Sequence, residues 1–199
     1  ATSLSSLPTW YREPSSAGSH MACSGPISTP PTDSLLVSDG LSIAANSYCL
    51  ASSLSAPNIT ISARVRFTGG SNGEVFKFTD GTYTFTLSIT GGNLSASDSA
   101  GTSINPIPGS YADGIFRNLI LTYDGNYWLS INGGAFQQLN IPGAPTYSSI
   151  NGAQIGNFTS GASMNIKAFL IHNVALPNST AGVMNDVLDI NNYLNSRFP

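Results

Sequence analysis

Two carboxylates about 5–10 Å apart can hydrolyse a glycosidic bond, so the acidic residues are the first place to look for chemistry. The chain has only two glutamates, Glu13 and Glu74. Glu13 falls in a Ser/Pro-rich segment, and the nearest acidic neighbour of Glu74 in sequence is Asp80. On an extended strand that spacing is about 20 Å, and Asp80-Gly81 reads as a turn. Gly69-Gly70-Ser71-Asn72-Gly73 has the Gly-x-Ser-x-Gly spacing but reads as a Gly-rich turn between two alternating runs, not as a strand-to-helix elbow that would serve His20 or His172. Asp186 and Asp189 fall in a helical pattern as solvated charges. This set predicts no enzyme. Sugar recognition is the second chemistry to consider, since it uses aromatic faces for stacking and amides for hydroxyls. Tyr127, Trp128, Phe136, Gln137, Gln138, Tyr147 and Asn157 are of the right types. Alternation places Tyr127 and Trp128 on opposite faces of one strand, so at least one packs inside, and Trp128 reads as a strand residue. Tyr127, Gln137, Gln138 and Tyr147 are the candidate carbohydrate-binding residues.

Composition narrows the classes further. With 199 residues, the chain is long enough for one domain, or one domain and an arm. Charged residues make up only 9%, against about 25% in ordinary soluble domains. Ser, Thr, Asn and Gly replace them, as suits a surface that meets glycans or other proteins. A net charge of −3 and only two lysines, Lys77 and Lys167, argue against nucleic acid. No apolar run approaches the roughly 20 residues of a membrane span. The first residues lack a basic start followed by an apolar core, so no signal peptide is expected in this sequence. Cys23 and Cys49 are the only cysteines. They make no disulfide framework or zinc spacing, and leave a single bridge or two buried thiols as alternatives.

The elements that would position these residues follow from periodicity. Residues 1–34 are rich in Ser and Pro and predict an extended arm, in which Trp10 and Tyr11 are the candidate assembly anchor. From Leu35 the period is two. Asn58 to Phe67 sets Ile59, Ile61, Ala63, Val65 and Phe67 on one face and Thr60, Ser62, Arg64 and Arg66 on the other. The runs around Val75, Phe85, Leu87 and Ile89 repeat that alternation between Gly-rich turns, which predicts an antiparallel β-sandwich of ten to twelve strands. Asp124-Gly125-Asn126 and Asn132-Gly133-Gly134 read as successive turns of one meander. Asn178 or Ser179 could cap a single C-terminal helix over about 179–197.

The order of these segments resembles the laminin-G-like and concanavalin A-like jelly-roll superfamily over Leu35–Phe198. The pieces that carry the resemblance are "TYDG" followed by "LSING", then "IKAFLIHNVALPNS" leading into the helix. Phe116 and Arg117 stand where the family usually has Trp and His. The resemblance implies an all-β antiparallel sandwich over residues 35–199. It also brings endoglucanases into view, whose two carboxylates lie close along one strand, a pattern this chain lacks. Many such domains hold one Ca²⁺ through Asp or Asn side chains and backbone carbonyls at the sandwich rim. Asp39, Asp80, Asp98, Asp113 and Asp124 are candidates, although no Asp-x-Asp-x-Asp loop occurs. Single domains of this type with short arms occur on phage and virus particles as decoration proteins, tail-fibre tips or spikes. The expectation is therefore a non-enzymatic module on a virion surface, joined to other copies of itself or to capsid or tail proteins, with a host glycan as ligand. The alternative is a secreted or cell-surface carbohydrate-binding module.

Overall fold

The computed structural model describes residues 21–24, 27–28, 41–43, 48–68, 72–101, 104–159, 163–172, 175–176 and 183–199. The period of two is realised in fourteen described strands. They are β1 (Met21–Ser24), β2 (Ile27–Ser28), β3 (Leu41–Ile43), β4 (Tyr48–Ala56), β5 (Ile59–Thr68), β6 (Gly73–Thr79) and β7 (Thr84–Thr90). Then come β8 (Asn93–Asp98), β9 (Ile104–Ile107), β10 (Arg117–Tyr123), β11 (Tyr127–Ile131), β12 (Gln137–Leu139), β13 (Ile150–Ile155) and β14 (Ser163–His172). One sheet has the order β1-β4-β13-β6-β7-β8-β9, the other β12-β11-β10-β5-β14-β3-β2. Every pairing between these strands is antiparallel. This is the all-β sandwich the alternation predicts. Its core lies between the sheets, with Ile59, Ile61, Ala63, Val65 and Phe67 facing Phe76, Phe78, Phe85, Leu87 and Ile89.

The boundary read at residue 34 needs correction. Among the described residues β1 is an outer strand of the first sheet and β2 an outer strand of the second, so both sheets already draw on the segment read as an arm. Ser and Pro around them hid two short edge strands, a place where Pro is tolerated. Trp10 and Tyr11 lie outside the described residues, as do Asn178 and Ser179. The C-terminal helix α1 spans Val183–Arg197, within the expected range.

The helix changes the character of the outer face of the second sheet. Thr60, Ser62, Asn118, Thr122 and Ser130 alternate outward and would be wet on a bare sheet, yet all are buried. Val187 packs on Ile120, with Ile190, Leu176 and Phe136 around them. Beneath this cover most of these polar groups find partners, although the buried Ser62 hydroxyl has none among the described residues. Thr60 and Thr122 hydroxyls lie 3.0 Å apart, and the Leu176 amide donates to both oxygens. Asn118 Nδ2 donates to Asn191 Oδ1 (2.7 Å) and Asn195 Oδ1 (3.0 Å), while Arg64 donates to Asn118 and to Asn195. Arg64, Arg66 and Lys167 also gather around the Phe116 ring at 4.6–5.7 Å. Arg64 bonds Asn195, and Lys167 Nζ donates to the Pro199 carbonyl. Cations beside the last turn of α1 complement its dipole.

Two turn glycines separate backbone need from packing need. Gly125 has φ 102° in the β10–β11 turn, and an added Cβ would meet nothing within 4 Å. Gly133 has φ 74°, and its Cβ would fall 2.9 Å from Asn191 Cγ. Gly125→Ala should cost about 1 kcal/mol of backbone strain. Gly133→Ala adds disruption of the Asn118–Asn191 bond and should cost about 2–4 kcal/mol. Urea unfolding of the two variants, side by side, checks the difference.

Candidate functional site

Most of the described carboxylates are engaged by neighbouring groups in ways that organise local structure. Glu74 forms an ion pair with Lys77 (3.2 Å) and accepts from Gln154 Nε2 and Asn157 Nδ2. Asp80 caps its turn, its Oδ1 accepting from the Thr82 and Tyr83 amides at 2.9 and 2.8 Å and its Oδ2 from the Ser148 amide. Desolvation pushes the Asp80 carboxyl up, but these backbone donors outweigh it and leave its pKa below the usual carboxylate value. Asp113 is held bidentate by Arg117 at 2.7 and 2.5 Å, and those hydrogen bonds hold its carboxyl well below the usual range. Asp124 Oδ1 accepts from the Asn126 amide (3.0 Å) and from Trp128 Nε1 (3.2 Å). Among the described residues no three His, Cys, Asp or Glu side chains stand close enough to hold a metal ion. Asp80, Asp113 and Asp124 each serve a separate turn or ion pair; Asp39 lies outside the described residues.

Asp98 differs from the other acids. It ends β8 on the inward side, after Leu94 and Ala96, and is only 5% exposed. Its Oδ2 accepts from Tyr127 Oη (2.5 Å) and Tyr147 Oη (2.6 Å), and its Oδ1 from the Ala100 amide (3.0 Å). Tyr127 belongs to the opposite sheet, so the carboxylate ties the two sheets together across the core. The Tyr147 amide in turn donates to Tyr123 Oη at 3.1 Å. Rings of Phe78, Phe85, Tyr123, Tyr127 and Tyr147 pack around the cluster, with Phe85 stacked on Tyr127 at 4.5 Å. Burial, reinforced by the bond to Asp98, pushes both the Tyr127 and the Tyr147 hydroxyl far above the ordinary phenol pKa. Both stay protonated and donate.

This network revises the sugar patch read from sequence. Tyr127 and Tyr147 are each 2% exposed, so neither ring offers a face to a ligand. Gln137 and Gln138 are exposed on β12, and Trp128 is partly exposed on the outward side of β11. Trp128 and Gln138 are direct cross-strand partners. Gln138 Nε2 donates to Asn126 Oδ1 at 3.3 Å. Beside them lies a shallow depression of about 180 Å³ lined by Gly125, Asn126, Tyr127, Gln138, Leu139, Asn140, Ile141, Pro142 and Ala144. The structure thus brings together Trp128, Asp124, Asn126 and Gln138, and moves Tyr127 to the lining and Tyr147 to the core. The residues missed were Trp128 and Asn126. A signal existed, because Leu129 and Ile131 share the face of Tyr127 while Trp128 shares that of Ser130.

With this geometry in hand, the sandwich can be compared with known proteins. No protein-family model matches the chain, and no curated protein matches it in sequence. Among solved structures it is similar to receptor-binding domains of botulinum neurotoxins. One, described in work on neurotoxin type C and its interaction with two ganglioside molecules, aligns at 14% identity and TM-score 0.58 over 89% of this chain. The binding domain of neurotoxin DC in complex with SialylT aligns at 13% identity and TM-score 0.59 over 89%, and the serotype G binding domain at 14% and 0.60 over 91%. The chain spans about half the length of these structures, 46%, 46% and 48% respectively. At this identity the likeness establishes the fold alone, a β-sandwich of jelly-roll type.

Removing Asp98 leaves two buried hydroxyls without their acceptor. Asp98→Ala should lose on the order of 2–5 kcal/mol in denaturant unfolding. The tyrosines also give the fold an alkaline limit. A phenol whose folded pKa lies above its unfolded value near 10 stabilises the fold fully below that pH. The contribution is lost as pH rises through and beyond it. Tyrosinate absorbance from Tyr127 and Tyr147 should therefore emerge only together with loss of the β-sheet circular dichroism signal. Ionisation of all eight tyrosines near pH 10 in a folded protein would contradict the network.

Proposed function

We propose that this chain is a non-enzymatic glycan-binding module of a surface assembly, with the sandwich presenting its binding face and the N-terminal arm joining it to its partners. The observation that carries the binding reading is the pairing of Trp128 with Gln138 beside Asn126, Asp124 and the depression. An indole face stacks on the apolar face of a sugar ring, while amide and carboxylate groups exchange hydrogen bonds with its hydroxyls. At about 180 Å³ the depression is smaller than the roughly 300–1,000 Å³ of sites that enclose a drug-sized ligand. It suits one sugar residue at the end of a chain. The structural neighbours meet gangliosides, synaptotagmin II and SialylT, which supports the reading of a recognition domain here.

The surface assembly is proposed to be a virion, with this chain as a decoration, spike or tail-fibre protein and other copies or capsid and tail proteins as its partners. The low charge, which leaves little repulsion between neighbours, and the Trp10–Tyr11 pair in a Ser/Pro segment support it. A secreted carbohydrate-binding module would use the same patch without the anchor.

A glycan array tests the binding reading. Wild-type protein should bind a subset of glycans, and Trp128→Ala should lower affinity by about tenfold or more, in keeping with about 1–3 kcal/mol for a stacked aromatic. Gln138→Ala should cost less, and Gln137→Ala little. A silent array, or a Trp128→Ala variant that binds like wild type, would overturn the site. Truncation tests the anchor. Because β1 and β2 belong to the sandwich, removing residues 1–20 should leave a folded domain that no longer joins its partner.

A further inference from the structure

We infer that Cys23 and Cys49 form a cross-strand disulfide that clamps the outer strand β1 to the sandwich. The register is the basis. β1 pairs β4 with Met21 opposite Ala51, Ala22 opposite Leu50, Cys23 opposite Cys49 and Ser24 opposite Tyr48, an unbroken run without a bulge. The chain has only two cysteines, and the topology sets them directly opposite each other. Partners in an antiparallel ladder have Cα atoms about 4.5 or 5.5 Å apart, depending on the pair type. Both values fall in the range of about 4.4–6.8 Å that a disulfide spans. Opposed residues also share one face of the sheet, because side chains alternate with period two on both strands. Neither spacing nor composition in the sequence could reveal this, since the two thiols meet only through the pairing of an edge strand.

The bridge has a mechanical meaning. Among the described residues β1 is paired on one side only and contributes four residues to its sheet, while β4 is paired on both sides, with β13 opposite Cys49 through Ile155. A short edge strand is the part of a sheet that opens first. Residues 1–20 lead directly into it, so any load borne by an anchor at Trp10 and Tyr11 reaches the domain through this strand. A bond from Cys23 to Cys49 transfers that load to a strand inside the sheet. This last step rests on the anchor proposed above; the bridge itself does not.

Formation is a thiol–disulfide exchange with a small-molecule disulfide of the glutathione type. One cysteine thiolate attacks the small disulfide, giving a mixed disulfide and releasing one small thiol. The second cysteine thiolate then displaces the other small thiol and closes the bridge. Two protein thiols are oxidised and one small disulfide is reduced to two thiols. The bridge therefore places the working form of the protein in an oxidising setting.

The test uses the full chain, held with oxidised glutathione, desalted, denatured and treated with N-ethylmaleimide. The expected result is no alkylation, an intact mass two hydrogens below the reduced form, and a peptide joining the two cysteines. Reduction should lower Tm on the order of 10 °C. Cys23→Ser and Cys49→Ser should each match the reduced wild type in Tm, keep its circular dichroism spectrum, and ignore reductant. Alkylation of both cysteines after the oxidising step, or bridges only between chains, would overturn the inference. A bridge whose reduction leaves Tm unchanged would overturn the clamp. Glycan binding through Trp128 is read separately, so its failure leaves this result standing.

Discussion

A carboxylate inside a hydrophobic sandwich is costly unless its lone pairs are used, and Asp98 uses them to join the two sheets. Tyr127 approaches from β11 and Tyr147 from the loop before β13, and both donate to the same oxygen. Leaving any one of these groups unpaired would cost several times the net worth of an ordinary hydrogen bond. Strand separation, the position of the 140–149 loop and the seating of β11 are therefore fixed together. The same network fixes the outer patch at one remove. Tyr127 borders the depression while its hydroxyl is held inside, and the next residue along the strand, Trp128, is thereby turned outward.

The outer face of the second sheet applies the same rule with neutral groups. A helix laid across a sheet of Thr, Ser and Asn would bury unsatisfied polar atoms if it were purely apolar. α1 instead brings Asn191 and Asn195 to Asn118 and Arg64, and the segment before it brings the Leu176 amide to Thr60 and Thr122. Apolar contact there includes Ile120, Val187 and their neighbours. Low charge and high Asn, Ser and Thr content are thus partly a packing requirement, since amides and hydroxyls can be buried in mutual pairs where ions would resist desolvation.

Much of this was legible in the sequence, because a period of two is a local property. Alternation along Asn58–Phe67 identified the inward face of β5, and Asp124-Gly125 and Asn132-Gly133 marked the turns where positive φ occurs. What was hidden depended on tertiary neighbours. Thr60 and Ser62 looked solvated because nothing in β5 announces a helix above it. Asp98 looked like a rim aspartate because its acceptor role belongs to Tyr127 and Tyr147, far away in sequence. The edge strands β1 and β2 were concealed by Ser and Pro, whose turn preference outweighs a four-residue and a two-residue strand in any local reading. The tyrosines of the proposed sugar patch failed for the same reason: their type was right for stacking, but their partner was inside.

The physical character of the remaining surface bears on how such a module could work. Its candidate patch is an indole, a turn carboxylate and two amides, of which the amides line a shallow depression. Recognition of that kind relies on stacking and neutral hydrogen bonds, each worth little after desolvation. A single site of this depth binds weakly, and weak sites become effective when several are displayed on one scaffold at matched spacing. Display requires that the domain not stick to its own kind through bare strand edges. It also requires a robust junction between domain and anchor. In the proposed assembly the short strand β1, paired on one side only among the described residues, is where both requirements meet.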